Sequence, residues 1–214
     1  MSKEKNKLMI LGAGGHGRVV AEIALLSGKY TDIVFLDDKA PEATFPYAYV
    51  GKCETFADYL AECDFFIAIG NANIRRRLQT EVEEADGNII TLIHPAAVIS
   101  KDVMIGNGTV VMAGSIVNTG AKIGKGVILN TASSVDHDCI VEDFCHVSVG
   151  AHLCGTVHLG AGTWIAAGAT VINNITVCSY SMIGAGATVI HDIKIAGVYT
   201  GVPATMSRSF KATI

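Results

Sequence analysis

Residues 121–159, AKIGKGVILNTASSVDHDCIVEDFCHVSVGAHLCGTVHL, place an aliphatic side chain at Ile123, Leu129, Val135, Val141, Val147, Leu153 and Leu159, one every six residues. Two positions before each stands a small or β-branched residue, as at Ala121, Val127, Ser133, Cys139 and Cys145. Outward from this stretch the same frame runs back through Val117, Val111 and Ile105 to Ile99. It runs forward through Ile165, Val171, Val177, Ile183 and Val189 to Ile195, with no slip. Such a period fits neither the stripe of an amphipathic helix nor the alternation of a half-buried strand; it predicts a parallel β-helix of hexapeptide repeats. The aliphatic residue fills the prism and the small one fits beside it. Gly106, Gly124, Gly160 and Gly184, each directly after an aliphatic position, are expected to give the bends a permissive backbone.

Ahead of the repeats the pattern changes. Lys7 to Leu11, Ile33 to Leu36, Cys63 to Ile69 and Asn88 to Ile93 read as buried strands. Helices are expected over Arg18 to Leu26 and Ile74 to Val82, with a short one over Thr55 to Leu60. Alternating strands and helices imply a small parallel sheet. The expected fold is therefore a Rossmann-like α/β domain over residues 1–94, followed by a left-handed parallel β-helix over residues 95–214 that includes a C-terminal tail. The first domain is expected to cap one open end of the β-helix. The tail, with Pro203 breaking the ladder, leads away at the other, and carries Arg208 and Lys211 as candidate phosphate contacts.

The first strand ends in Gly12-Ala-Gly14-Gly-His16-Gly17, a dinucleotide-type fingerprint with Asp37 twenty residues beyond its last glycine. Backbone N–H groups at a helix start suit a diphosphate, and Asp37 or Asp38 suits ribose hydroxyls or a base. The domain is only one mononucleotide half plus a little, so a nucleotide-sugar fits it better than a dinucleotide. His16 inside the loop is unusual for a plain turn and points toward a ligand. Arg75, Arg76 and Arg77 read as a solvated helix face, with a phosphate contact as the alternative for Arg75.

A net charge of -4 and scattered Lys and Arg give no footprint for nucleic acid or an anionic membrane. No apolar run is long enough to span a bilayer, and the basic start MSKEKNK leads into no cleavage site, so a cytoplasmic protein is expected. Cys53, Cys63, Cys139, Cys145, Cys154 and Cys178 form no C-x-x-C pair and read as reduced, mostly interior thiols. His146, His152 and His158 are six residues apart and therefore lie on successive faces of the prism, where they cannot converge on one ion; no metal is expected. Trp164 takes an outward slot, where an oligomer interface or a cosubstrate would cover it.

GAGGHG, FLDD and FFIAIGNANIR, joined to VILNTASSVDHDCIVEDFCHVSVGAHLCG and YTGVPA, resemble the bacterial nucleotide-sugar acetyltransferases of the sialic-acid O-acetyltransferase-like hexapeptide family. The resemblance is greatest to the UDP-4-amino-sugar N-acetyltransferases of bacillosamine-type pathways and spans about Leu8 to Met206. It implies that the N-terminal domain holds the nucleotide-linked sugar, that acetyl-CoA lies along the β-helix, and that active sites form between subunits of a homotrimer. By the same resemblance His137 matches the catalytic base, with Asp138 standing where close relatives often carry Glu. His146 matches a histidine near the thioester, Asn130 a pocket residue and Gly155 a backbone donor. Ala167 and Ala185 match backbone contacts of acetyl-CoA, and His16, Asp37, Asp38, Gly70 and Asn71 fall in the nucleotide-sugar segments.

Rung arithmetic supplies a separate expectation. Eighteen residues complete three faces, so His137, Gly155 and Asn173 should stack on one corner of successive coils, about 4.8 Å apart. His146, half a circuit away, should meet His137 only across a subunit boundary. A histidine suits deprotonation of a sugar amine near neutral pH, and either Asp136 or Asp138 can orient it. An N–H of Gly155 or a donor from His146 would face the developing oxyanion. The expected reaction is acetyl transfer to the 4-amino group of a UDP-4-amino-4,6-dideoxy sugar. A GDP-amino-sugar N-acetyltransferase, a sialic-acid O-acetyltransferase and a non-catalytic nucleotide-sugar-binding trimer are the alternatives.

Overall fold

The structure, a computed structural model, describes residues 5–210. The chain divides into two compact units, Met1–Pro95 and Ala96–Ile214. Lys211 lies outside the described residues.

In the first unit β1 (Lys7–Leu11), β2 (Asp32–Leu36), β3 (Ala48–Gly51) and β4 (Cys63–Ile67) form a parallel sheet in the order β3-β2-β1-β4. Met9, Leu11, Phe65 and Ile67 share a core cluster with Leu78 and Val82 of helix α2 (Ala72–Glu84). The alternate residues Leu8, Ile10 and Phe35 are equally buried, as are Val20, Ala21 and Ile23 of helix α1 (Gly15–Leu26). Both faces are thus covered, which is why these strands read as continuous apolar runs.

Three details depart from the sequence reading. Helix α1 begins at Gly15 rather than Arg18, because Gly14 takes the extended N-cap conformation and draws Gly15, His16 and Gly17 into the first turn. Strand β3, Ala-Tyr-Val-Gly, is short and alternates between exposed and half-buried positions at the sheet's edge, so it does not stand out as a buried apolar run. The segment from Asn88 to Ile93 is no single strand: Ile89 makes an isolated bridge to Phe65, and Leu92–Ile93 is a separate two-residue strand.

In the second unit, two-residue strands recur every six residues from Val98–Ile99 to Thr188–Val189. Each pairs in parallel with the strand one coil on, as Ile128 with His146 and His146 with Trp164. The aliphatic and small positions alike enter one core, including Ala121, Ile123, Cys139, Val141, Cys145 and Val147. The thiols of Cys139 and Cys145 donate to the carbonyls of Cys154 and Gly160 at 3.1 and 3.2 Å, tying one coil to the next.

The bends work differently from the expectation. Positive φ falls at every sixth residue from 108 to 186, three before each aliphatic position, and includes Gly120, Ala132, Asp138, Phe144 and Thr156. Gly106 and Gly124 are not among them. They are glycines because the next coil is too close: a Cβ on Gly106 would stand 2.6 Å from the Lys125 nitrogen, and one on Gly124 2.7 Å from that of Asp143.

The frame also slips at its end. Val177 bridges to Ile193, not Ile195, and Cys178 N–H donates to Ile193 C=O at 2.9 Å. Ile193 is therefore buried while Ile195 is 62% exposed. The coil is two residues short because the Asp192 carboxylate accepts from Thr176 N–H at 2.9 Å and starts the turn early. The tail does not lead away: Gly197–Thr200 pairs with Met182–Ile183 and turns through Pro203 into an antiparallel strand, Thr205–Ser209, that carries Arg208. Among the described residues no helix is long and apolar enough to cross a membrane.

Candidate active site

His137 and Asp138 occupy one corner of the β-helix. The His137 ring stands over Gly155 of the next coil, as the stacking arithmetic requires: a Cβ there would lie 2.5 Å from Nε2. Asp138 Oδ2 sits 2.9 Å from His137 Nδ1. Asp136 is committed elsewhere, accepting from the Asn118 side-chain amide and the His137 backbone N–H at 2.8 Å each. The geometry therefore pairs the imidazole with Asp138. That hydrogen bond raises His137 above the ordinary 6.5 against the opposing effect of burial, with the charges of Asp136 and Asp138 adding to it. With Nδ1 tied to the carboxylate and the ring 53% exposed, Nε2 is left to take a proton from outside.

Asp138 holds this position in a left-handed backbone conformation, φ 56, that costs a non-glycine residue about 1 kcal/mol or more. Room for its side chain comes from the coil before: a Cβ on Gly120 would run into the carboxylate. Gly120 and Gly155 thus clear space on either side of the Asp138–His137 pair. Gly155 stands out in the sequence through its family match, whereas the only signal for Gly120 is its place one coil before an acidic residue. Beside Gly155, Cys154 N–H and Thr156 N–H both serve the ladder, while among the described residues Gly155 N–H donates to no acceptor.

His146 and Asn130 come together on another face, the Asn130 amide lying 3.2 Å from His146 Nε2. The Trp164 ring stacks on His146, centroids 5.9 Å apart and planes 4° from parallel, and its Nε1–H donates to Ser148 Oγ at 2.7 Å. Within the chain His137 and His146 share no hydrogen bond among those described. His152 meets Ser134 and His158 meets Glu142 on the remaining two faces, and among the described residues no cluster could hold a metal. Ala167 and Ala185 stack above Val149 at an exposed corner. Their carbonyl and next-residue N–H groups build the ladder, Gly168 N–H to Val149 C=O and Gly186 N–H to Ala167 C=O, which leaves the N–H groups of Ala167 and Ala185 outside it.

In the N-terminal unit the glycines divide by role. A Cβ on Gly12 would meet the Ala68 carbonyl oxygen at 2.6 Å, and one on Gly17 would strike the Gly12 carbonyl, so both are there for close packing. Gly14 and Gly15 face open space, where another molecule's atoms can approach the backbone. Asp37 braces this loop, its two oxygens accepting from Ala13 N–H at 2.7 Å and Lys39 N–H at 2.9 Å. Asp38 accepts from Cys53 N–H at 3.2 Å. A cavity of about 350 Å³ opens between the loops and is lined by Gly14, Arg18, Asp37, Lys39, Glu42 and Phe45, among others. Arg18, Lys39 and Phe45 form no motif, and nothing in the sequence marks them as lining residues.

Arg75 corrects the solvated-face reading. It is 1% exposed, and its guanidinium donates to Ile69 C=O at 2.7 Å and Gly70 C=O at 2.8 Å. Asn71 caps α2 by accepting from Asn73 and Ile74 N–H. Burial and then the Arg75 charge push His16 down to about 4, so its ring is neutral at physiological pH; its Nε2 is buried with no hydrogen-bond partner among the described residues.

The profile of the PglD N-terminal domain matches residues 7–82. UDP-N-acetylbacillosamine N-acetyltransferase of Bacillus subtilis is 36% identical over 110 residues, 49% of this chain and 50% of that protein, so the match spans about half the length of this curated relative. The acetyltransferase domain of PglB from Neisseria gonorrhoeae, solved with acetyl coenzyme A, superposes with a TM-score of 0.90 at 39% identity, covering 94% of this chain and 99% of that one. GDP-perosamine N-acetyltransferase from Caulobacter crescentus, solved as a histidine-to-alanine variant with CoA and GDP-perosamine, superposes with a TM-score of 0.89 at 30% identity, covering 94% and 96%.

Proposed function

The chain belongs to the bacterial nucleotide-sugar N-acetyltransferases, and from that premise we propose that it transfers the acetyl group of acetyl-CoA to the 4-amino group of a UDP-4-amino-4,6-dideoxy sugar. The observation that carries the reading is the His137–Asp138 pair, seated between Gly120 and Gly155 on an exposed corner. Asp138 fixes the tautomer with its proton on Nδ1, so His137 Nε2 takes a proton from the sugar amine as nitrogen attacks the thioester carbonyl. The carbonyl oxygen gains charge, and Gly155 N–H with His146 faces it. The C–N bond forms, the C–S bond breaks, and the imidazolium returns its proton to the departing CoA thiolate.

The exposed N–H groups of Ala167 and Ala185 suit the amide carbonyls of a pantetheine arm. Gly14 and Gly15 at the start of α1, with Arg18 and Lys39 beside them, suit a diphosphate. His16, Asp37, Asp38, Gly70 and Asn71 border the same end of the sheet, and the cavity beside Asp37 suits the nucleoside. His137 and His146 stand on different faces, so a homotrimer that brings one subunit's His137 to its neighbour's His146 completes the site.

The test is thiol release from acetyl-CoA with three acceptors: the UDP-4-amino-4,6-dideoxy sugar, GDP-perosamine and free sialic acid. Turnover of the UDP sugar at a kcat/KM at least about tenfold above the others supports the reading. Preference for GDP-perosamine would move the substrate to the guanosine series, and release with sialic acid alone would make the enzyme an O-acetyltransferase.

A further inference from the structure

The face that carries His146 also carries a chain of donors aimed at one nitrogen of its ring. Asn130 Oδ1 accepts from Thr131 N–H at 2.8 Å, which fixes the amide so that its NH2 end faces His146 Nε2 at 3.2 Å. An NH2 group only donates, so Nε2 must present a lone pair. The second partner has the same polarity. Trp164 Nε1–H, a donor only, donates to Ser148 Oγ at 2.7 Å, and against a nitrogen that already presents its lone pair to Asn130 the Ser148 hydroxyl, 3.5 Å from His146 Nε2, can act only as donor. The parallel stack of Trp164 on the imidazole, 4° between planes, fixes the ring that receives both.

We propose that Ser148 and Trp164, together with Asn130, are positioning residues that hold His146 as a neutral imidazole protonated on Nδ1. Free histidine prefers the opposite, Nε2-protonated tautomer, so this preference has to be imposed by neighbours. The arrangement has a chemical use. A ring locked in this state is a fixed N–H donor through Nδ1, which can stabilise an oxyanion but cannot compete with His137 for the amine's proton. This consequence rests on the proposed acetyl transfer; the tautomer itself does not.

The experiment is long-range 1H–15N NMR of the full chain labelled with [15N]histidine, with His146 assigned by its loss in His146→Gln. The wild type is expected to show the Nδ1-protonated pattern for His146. Ser148→Ala and Trp164→Phe, the second keeping the stacked ring while removing its N–H, are expected to mix in the Nε2-protonated form, and Asn130→Ala/Ser148→Ala to make it dominant. Ser148→Thr, which keeps the hydroxyl, is expected to restore the wild-type pattern. In parallel, kcat should fall about tenfold in Ser148→Ala and Trp164→Phe, with KM for acetyl-CoA changed by less than about twofold, as for weakening a transition-state donor. A wild-type His146 that is protonated on Nε2 or on both nitrogens, or a double variant still wholly Nδ1-protonated, would overturn the proposal. The expected tautomers without thiol release on any amino sugar would uphold the positioning and reject the acetyl-transfer reading.

Discussion

The N-terminal unit buries Asp64, Arg75 and Gln79, whereas the polar residues buried in the β-helix are Thr109, Ser115, Ser133, Ser148, Thr163 and Ser181, all hydroxyl-bearing. The difference follows from what each interior must hold. In the β-helix the backbone of each coil is satisfied by the next, and a hydroxyl or thiol in the small slot merely adds a tie, as Thr109 to Gly124 C=O at 2.8 Å and Thr163 to Cys178 C=O at 3.1 Å. Charge has no work to do inside and stands at the corners, where His137 and Asp138 meet in the open. The α/β unit must fix irregular loops. Asp64 gathers Asn88 at 2.7 Å, Tyr30 at 2.7 Å and Lys29 at 3.0 Å; burial favours its neutral form, but these hydrogen bonds prevail and hold the carboxyl below its usual range.

If buried charge holds those loops, Arg75→Ala should show the largest stability effect, about 3 kcal/mol, because it leaves a cavity and takes the donor from the Ile69 and Gly70 carbonyls. Urea unfolding followed by probes in each unit should find the loss in the N-terminal transition. The β-helix should instead answer to volume. Ile193→Ala should cost about 2 kcal/mol or more, while Ile195→Ala, at an exposed position, should change stability by less than about 0.5 kcal/mol. Equal effects at the two sites would refute the shortened last coil.

At the corner, Asp138→Asn should lower kcat/KM by about tenfold and move its acid limb. The Asp138 hydrogen bond raises His137, so the wild type loses its base as pH falls through a value above 6.5; removing the carboxylate should bring that limb down toward 6.5. The smallest effect is a gain: Asp138→Gly should stabilise the protein by up to about 1 kcal/mol, since glycine takes positive φ at no steric cost, while it impairs turnover. A destabilised Asp138→Gly variant would mean that the strained position is held for packing.

Much of this was legible in the chain. The repeat frame announced the β-helix because a prism fills its interior with one residue type at one period, and the same arithmetic put His137 over Gly155. The frame failed where its cause lapsed: Asp192 caps the turn early and Ile193 takes the inward place. Arg75 read as surface because a charged residue on a basic helix is normally solvated, and nothing in its neighbours reveals the carbonyls of Ile69 and Gly70 that draw it in. Gly106 and Gly150, the first with the next coil against it and the second with φ 60 and open space around it, show that a glycine in a repeat has two distinct reasons to be there, close packing and positive φ, which the letter alone does not separate. The choice between Asp136 and Asp138 needed coordinates, since what takes Asp136 away is the side chain of Asn118 on the preceding coil together with the His137 backbone N–H.

The central claim is that His137 is the base for amine attack, and the most direct measurement is thiol release from acetyl-CoA with the UDP-4-amino sugar, wild type against His137→Ala. The account predicts a fall of about two to four orders of magnitude in kcat, with the melting temperature unchanged because the ring stands exposed on its corner. A His137→Ala variant that folds and turns over at the wild-type rate would contradict it.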